Sequence, residues 1–241
     1  MRVEAIIVAA GKGKRFGKAQ PKQFCPLKGK PIVCWTIAPF ERCQLIDKII
    51  LIVPRGMREY VRGKILFSLE YKKIKTIAEG GKERTDSVFE GLKNVDEKTD
   101  IVLIHDGVRP LISTHLIEKV IKETEKYGAV SPAIPVKETL KEVNEDELVV
   151  RTLERSKIRL IQTPQGFKKD LIFQVYKKAM DSGWRASDDA GIVERFGYKV
   201  KVVAGEEMNI KITTSLDLKF AEMLLQYQNL SSEEKIQCEL V

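Results

Sequence analysis

Close to its amino end the chain runs Glu4-Ala5-Ile6-Ile7-Val8-Ala9-Ala10-Gly11-Lys12-Gly13-Lys14-Arg15-Phe16-Gly17. An apolar strand leads into a loop with unobstructed backbone amides at Gly11 and Gly13, and Lys12, Lys14, Arg15, Lys18 and Lys22 follow closely. Fixed amide dipoles beside clustered cations suit a triphosphate, both for binding it and for stabilising the charge of an in-line transfer. Spacing excludes two common phosphate motifs. The dinucleotide fingerprint lacks its third glycine, because Phe16 stands there, and a Walker loop lacks its hydroxyl, because Lys18 is followed by Ala19. A glycine turn with solvated lysines is the plainer reading of the same residues.

Further candidates lie along the chain. Asp106 ends an apolar run, with Arg109 one turn on; the carboxylate can organise a metal, its waters or hydroxyls, and the guanidinium suits a phosphate. A pair that only holds the turn is the alternative. His105 alternates to the opposite face and is expected to be packed rather than catalytic. Lys211 sits between Ile210 and Ile212, a pattern that turns one cation towards a cleft. Gly80-Gly81 precedes a helix that Thr85 is expected to cap, and Ser87 adds a hydroxyl. Ser187-Asp188-Asp189-Ala190 reads as an N-capped helix start with acids in its first turn.

Positioning these residues falls to alternating elements. Strand-like runs occur at Ala5–Ala9, Lys48–Val53, Lys73–Ala78, Ile101–His105, Ala129–Ile134 and Lys199–Val203. Helical spacing occurs at Pro31–Glu41, Thr85–Leu92, Thr114–Tyr127, Lys168–Met180, Ser187–Phe196 and Ser215–Gln226. Strands alternating with helices imply right-handed crossovers and a mostly parallel, open sheet covered on both faces, an α/β sandwich. One segment, Lys137 to Lys157, instead reads strand, turn, strand around Asn144-Glu145-Asp146-Glu147. A lone ribbon is marginal in water, so it is expected to pack on something, and a second copy of the chain is the natural candidate.

The totals narrow the class. The 241 residues, 43% hydrophobic and 32% charged, suit one domain over 1–241, with a polar tail over 231–241 expected to fray. No apolar run is long enough for a membrane span and no signal-type segment opens the chain, which points to a cytoplasmic protein. Four cysteines, Cys25, Cys34, Cys43 and Cys238, form no C-x-x-C pair, and two histidines are too few for a zinc site. The net charge of +8 is spread among acids rather than clustered, so small phosphates are expected in place of nucleic acid.

Several blocks together carry a resemblance. Ala9–Phe16 with Pro21-Lys22-Gln23-Phe24, Gly80–Ser87, His105–Pro110, Pro135–Thr139, Gln162–Phe167 and Asn209–Thr213 follow, in order over roughly residues 1–226, the pattern of the 2-C-methyl-D-erythritol 4-phosphate cytidylyltransferases. The resemblance implies a three-layer sandwich of the nucleotide-diphospho-sugar transferase type, with a Rossmann-like sheet and a protruding β-ribbon arm at about 137–157. It implies transfer of a cytidylyl group from CTP to a polyol phosphate, with Mg2+ or another divalent cation. Arg15, Lys22, Arg155 and Lys211 would be catalytic. Ala9, Ala10, Gly11, Gly13, Gly81, Ser87 and Asp106, with Arg15 and Lys22, would bind the nucleotide, and Asp106, Arg109, Thr139, Arg155, Thr163 and Lys211 the second substrate. Asp106 is the one protein group offered to the metal, which the triphosphate would mainly hold. The arm would embrace a second subunit in a homodimer. Three positions depart from the commonest form: Gly107 and Val108 replace two alanines, and Met208 stands where Asp is frequent. Ribitol 5-phosphate as acceptor, and a non-catalytic nucleotide or RNA binder, are the alternative readings.

Overall fold

The computed structural model describes residues 1–11, 20–67 and 71–228. Its strands, in chain order, are β1 (Val3–Val8), β2 (Pro26–Leu27), β3 (Lys30–Pro31), β4 (Lys48–Val53), β5 (Ile74–Glu79), β6 (Ile101–Asp106), β7 (Ala129–Pro135), β8 (Lys141–Val143), β9 (Val149–Thr152), β10 (Arg159–Ile161), β11 (Gln165–Lys168) and β12 (Lys201–Ala204). The helices are α1 (Ile32–Arg42), a short α2 (Arg58–Tyr60), α3 (Arg84–Leu92), α4 (Thr114–Tyr127), α5 (Lys169–Asp181), α6 (Asp189–Arg195) and α7 (Ser215–Gln228).

Eight strands form one sheet. β5, β4, β1 and β6 are neighbours and parallel; the apolar runs of β1, β4 and β6 are those of strands buried on both faces, whereas β5, at the edge, is half exposed. β11 then enters antiparallel between β6 and β7, while β12 joins β7 in parallel and β10 pairs with β7 antiparallel. The sheet is therefore mostly parallel. β10 and β11 are not expected from the sequence, because Gln165-Gly166-Phe167-Lys168 is short, contains glycine and follows Pro164, all marks of a loop. Gly166 is required there: a Cβ would lie 2.2 Å from Thr124 Oγ1 of α4.

Helices cover both faces. On one, Val33, Ile37 and Phe40 of α1 and Leu116, Ile117 and Val120 of α4 pack on Ile7, Leu51 and Leu103. On the other, α3, α5 and α6 pack on Ile6, Ile50, Ile52, Val102 and Ile104. A third cluster seats α7 on Leu27, Ile32, Val108 and Ile212. Caps set the helix starts. Ser113 accepts from Leu116 N ahead of α4, and Gly128 ends it at φ +82°. At α3 the expected cap Thr85 is replaced by Glu83, which shares a reciprocal capping box with Asp86 and leaves Thr85 buried inside the first turn. At α6 the cap is Asp188, accepting from Gly191 N at 3.0 Å.

The ribbon β8–β9 forms a separate two-stranded sheet. Its Val143, Leu148, Val149 and Val150 are exposed, and Lys137 reaches Glu207 at 2.8 Å at its base.

Candidate functional site

Parallel strands deliver their carboxyl ends to one edge, where ligands of such sheets bind. The loops after β1, β5 and β6 meet there. Gln23 fixes the first: its buried amide donates to Ala9 O at 2.5 Å and Gly11 O at 3.0 Å, holding the exit of β1 against the turn that carries Lys22. Lys22 Nζ in turn donates to Ile212 O at 2.9 Å, beside Lys211. Arg15 and Gly13, together with the basic loop residues Lys12, Lys14 and Lys18, lie outside the described residues.

Ala10, Gly80, Gly81 and Ser87 pack together. A Cβ at Gly80 would lie 2.4 Å from Ala10 Cβ and 2.7 Å from Ser87 Oγ, and one at Gly81 would lie 2.2 Å from Asp86 Cβ. Ser87 Oγ donates to Glu83 O and accepts from Gly81 N, so its proton is committed to the α3 backbone. Gly80→Ala is expected to cost about 1–3 kcal/mol through this overpacking. Thermal melting would check it, and an unchanged melt would contradict the packing. Gly107 obeys the same constraint: a Cβ there would meet Ala9 Cβ at 2.8 Å and Val8 O at 3.0 Å. Val108, the second departure, is buried in the α7 cluster, and the Met208 carbonyl accepts from Ile210 N.

A cleft of about 300 Å3 opens next to these loops. Asp106, Arg109, Thr163 and Lys211 line it together, as does Arg84. Asp106 is almost fully buried, and each of its oxygens faces a cation. Oδ1 accepts from Arg84 Nε at 3.1 Å; Oδ2 lies 2.8 Å from Lys211 Nζ and 3.8 Å from Arg109 Nε. Burial alone would push the Asp106 carboxyl up, but Arg84, Lys211 and Arg109 outweigh it and hold the group well below the usual carboxylate range. Burial pulls Arg109 the other way, lowering it against the pull of Asp106. Arg109 Nη1 donates to Asn209 O at 2.7 Å, whereas its buried Nε makes no hydrogen bond and faces only the Asp106 carboxylate.

Arg84 has a second carboxylate. Its two terminal nitrogens grip Asp189 at 2.9 and 2.7 Å, and Asp189 also accepts from Tyr176 OH. Burial works against the Arg84 charge, but Asp189 and then Asp106 raise the group well above its ordinary value. Gln165 anchors this corner, its carbonyl accepting from Asp189 N and Ala190 N and its amide donating to Asp188 and Ser131. Sequence reasoning gives Arg84, Asp189 and Gln165 no such role. A signal exists for Arg84: a cation in the first turn of a helix opposes the macrodipole and asks for a counter-charge.

The residues present do not fit a protein-held metal ion. Among the described residues no three metal-ligating side chains cluster. Asp106 is ringed by three cations, which would repel one. Thr139 and Arg155 are not brought to the cleft: both lie on the exposed arm, where Arg155 Nη1 donates to Lys137 O at 2.8 Å. The arrangement as a whole is a cationic cleft beside a glycine-lined shelf, suited to hold two phosphorylated molecules side by side and neutralise charge between them.

Known proteins resemble this chain over nearly its whole length. A family model described as 2-C-methyl-D-erythritol 4-phosphate cytidylyltransferase matches residues 3–227. Proteins of that name from Alkaliphilus metalliredigens (strain QYMF) and Clostridium botulinum (strain Eklund 17B / Type B) are 44% and 46% identical over 224 residues. The matches cover 93% and 92% of this chain, and 93% and 99% of the relatives. The crystal structure of 4-diphosphocytidyl-2C-methyl-D-erythritol synthase from Anaerococcus prevotii DSM 20548 superposes with a TM-score of 0.82 at 37% identity, covering 93% of this chain and 98% of that one. The 2-C-methyl-D-erythritol 4-phosphate cytidylyltransferase of Thermus thermophilus gives 0.76 at 33% identity, covering 94% and 100%.

Proposed function

The chain belongs to the 2-C-methyl-D-erythritol 4-phosphate cytidylyltransferase family, and from that premise we propose how its site joins CTP to 2-C-methyl-D-erythritol 4-phosphate in the non-mevalonate isoprenoid pathway. A phosphate oxygen of the polyol attacks the α-phosphorus of CTP in line; the new P–O bond forms as the α–β bridge breaks, and pyrophosphate leaves with the electron pair. The nucleophile is already an anion, so no general base is needed and catalysis is positioning plus charge neutralisation.

The shelf of Ala9, Ala10, Gly81 and Ser87 takes cytosine and ribose, and Gly11, Gly13, Arg15 and Lys22 take the triphosphate. Asp106 fixes Lys211 and Arg109, which receive the incoming phosphate. The supporting observation is that cations from four distant segments, Lys22, Arg84, Arg109 and Lys211, gather around or beside one buried carboxylate. A divalent cation, Mg2+ in the first instance, enters as part of the CTP substrate. Pyrophosphate release with CTP and Mg2+, offered methylerythritol phosphate and ribitol 5-phosphate in parallel, tests the reading. Turnover on the first is expected; turnover on the second alone would move the acceptor, and silence on both would leave a binding protein.

The arm supplies the remaining groups from a second copy. Its exposed valines and leucine, and the distance of Thr139 and Arg155 from their own cleft, support a homodimer in which each arm completes the partner's site. Replacing residues 139–153 by a short flexible linker is expected to halve the mass seen by light scattering and abolish turnover. A fully active monomer would refute the shared site. Buried thiols at Cys34 and Cys43 support a reducing, cytoplasmic setting, and among the described residues no helix is long and apolar enough to cross a membrane.

A further inference from the structure

His105 lies on the face of β6 opposite Asp106. It is fully buried, with its ring tilted against Phe40 at a centroid distance of 4.9 Å. Both ring nitrogens have partners. Nε2 is 3.4 Å from Arg109 O, and Nδ1 is 2.9 Å from Thr163 Oγ1. A carbonyl oxygen only accepts, which places the ring hydrogen on Nε2; in a neutral imidazole Nδ1 is then an acceptor and the Thr163 hydroxyl is its donor. Burial supports the neutral form, pushing His105 down to about 3.

The same hydroxyl oxygen accepts from Asp106 N at 3.1 Å. The donors then close into a ring. His105 Nε2 gives to Arg109 O, Arg109 Nη1 to Asn209 O, Asn209 Nδ2 to Thr163 O at 2.8 Å, and Thr163 Oγ1 back to His105 Nδ1. Asp106 and Arg109, two walls of the cleft, hang from this ring. Each member is buried, so each bond lost would leave an unpaired polar group with a cost beyond the bond itself.

We infer that His105 is a positioning residue: as the Nε2–H tautomer it takes the Thr163 proton, locks Asp106 and Arg109 at the base of the cleft, and leaves Thr163 no hydroxyl hydrogen to offer a substrate phosphate. The resemblance implies instead that Thr163 grips that phosphate. On this geometry the grip falls to Lys211, and Thr163 acts through the main chain of Asp106.

Two experiments bear on it: the tautomer of the free chain is independent of the cytidylyltransferase reading, whereas the substrate titration and the kinetics rest on it. The chain has two histidines, His105 and the exposed His115, so a His115→Gln background leaves one imidazole in the nitrogen-15 spectrum of the full chain. The expected spectrum at neutral pH shows hydrogen on Nε2 and a bare Nδ1, unchanged by saturating methylerythritol phosphate. Hydrogen on Nδ1 or on both nitrogens, or a switch when the substrate binds, would overturn the inference. In steady-state kinetics, His105→Phe and Thr163→Val should each lower kcat about 10- to 100-fold, the scale of a small misplacement. KM for the polyol phosphate should stay near wild type, and the double variant should be no worse than the worse single, because both break one ring. A KM rise confined to Thr163→Val, with His105→Phe behaving as wild type, would assign Thr163 a direct phosphate contact and overturn the inference. Should either variant fail to fold, the tautomer still decides.

Discussion

Lys22→Ala is expected to lower kcat by about 10²- to 10³-fold, the effect of removing one donor from developing transition-state charge. The loss should fall on turnover rather than on ground-state binding. On the proposed reading Lys22 faces the triphosphate, and its Nζ is moored to Ile212 O at 2.9 Å, next to Lys211, the cation proposed to receive the acceptor phosphate. A lysine at that junction meets the charge that appears when both phosphates crowd one phosphorus, and CTP alone presents only part of that charge. Calorimetric titration should therefore show CTP affinity falling by far less than kcat. Equal losses would make Lys22 a simple nucleotide anchor, and unchanged turnover would remove it from the reaction.

Asp106→Asn should cost both stability and rate. The substitution keeps shape but removes the counter-charge shared by Arg84, Arg109 and Lys211. Breaking a buried ion pair costs about 3–5 kcal/mol, which in a chain of this size lowers Tm by roughly 6–20 °C. Freed from their common carboxylate, Lys211 and Arg109 lose registration with the acceptor, and kcat should fall by about 100-fold. The pH dependence has a definite sign. A carboxyl depressed in the folded state stabilises above its unfolded pKa, about 3.9, and that contribution is lost as pH falls towards the folded value. The stability gap between wild type and variant should thus be full at pH 7 and shrink below about pH 4. A gap that widens in acid would mean that the three cations do not hold Asp106 ionised.

The alternation of strands and helices is legible because each element carries its own period. Lys48–Val53 is apolar beyond its first residue, and Thr114–Tyr127 repeats its apolar residues along one face between a serine cap and a glycine stop. The antiparallel β11 is not legible, since four residues containing Gly166 have no period to detect. Site residues divide the same way. Asp106, Arg109, Thr163 and Lys211 belong to local blocks, and the fold gathers them in one cleft. The clamp from Arg84 to Asp189 spans 105 positions, and nothing in either local sequence names the other. Ser87 reads in the sequence as a free hydroxyl, although the backbone of α3 already holds its proton, and Thr163, set at the phosphate by resemblance, lies 2.9 Å from His105 Nδ1. Hydroxyl direction depends on neighbours that a single sequence does not display.

The bond from Lys22 Nζ to Ile212 O joins residues 190 positions apart, and this gives the enzyme a timetable on the ribosome. At ordinary rates of synthesis, about 5–20 residues per second, roughly 10–40 s pass between the two ends of that bond. During that interval the nascent chain carries β1, β4 and β5 without Lys211, so the junction between Lys22 and Ile212 closes only after nearly the whole chain has been made.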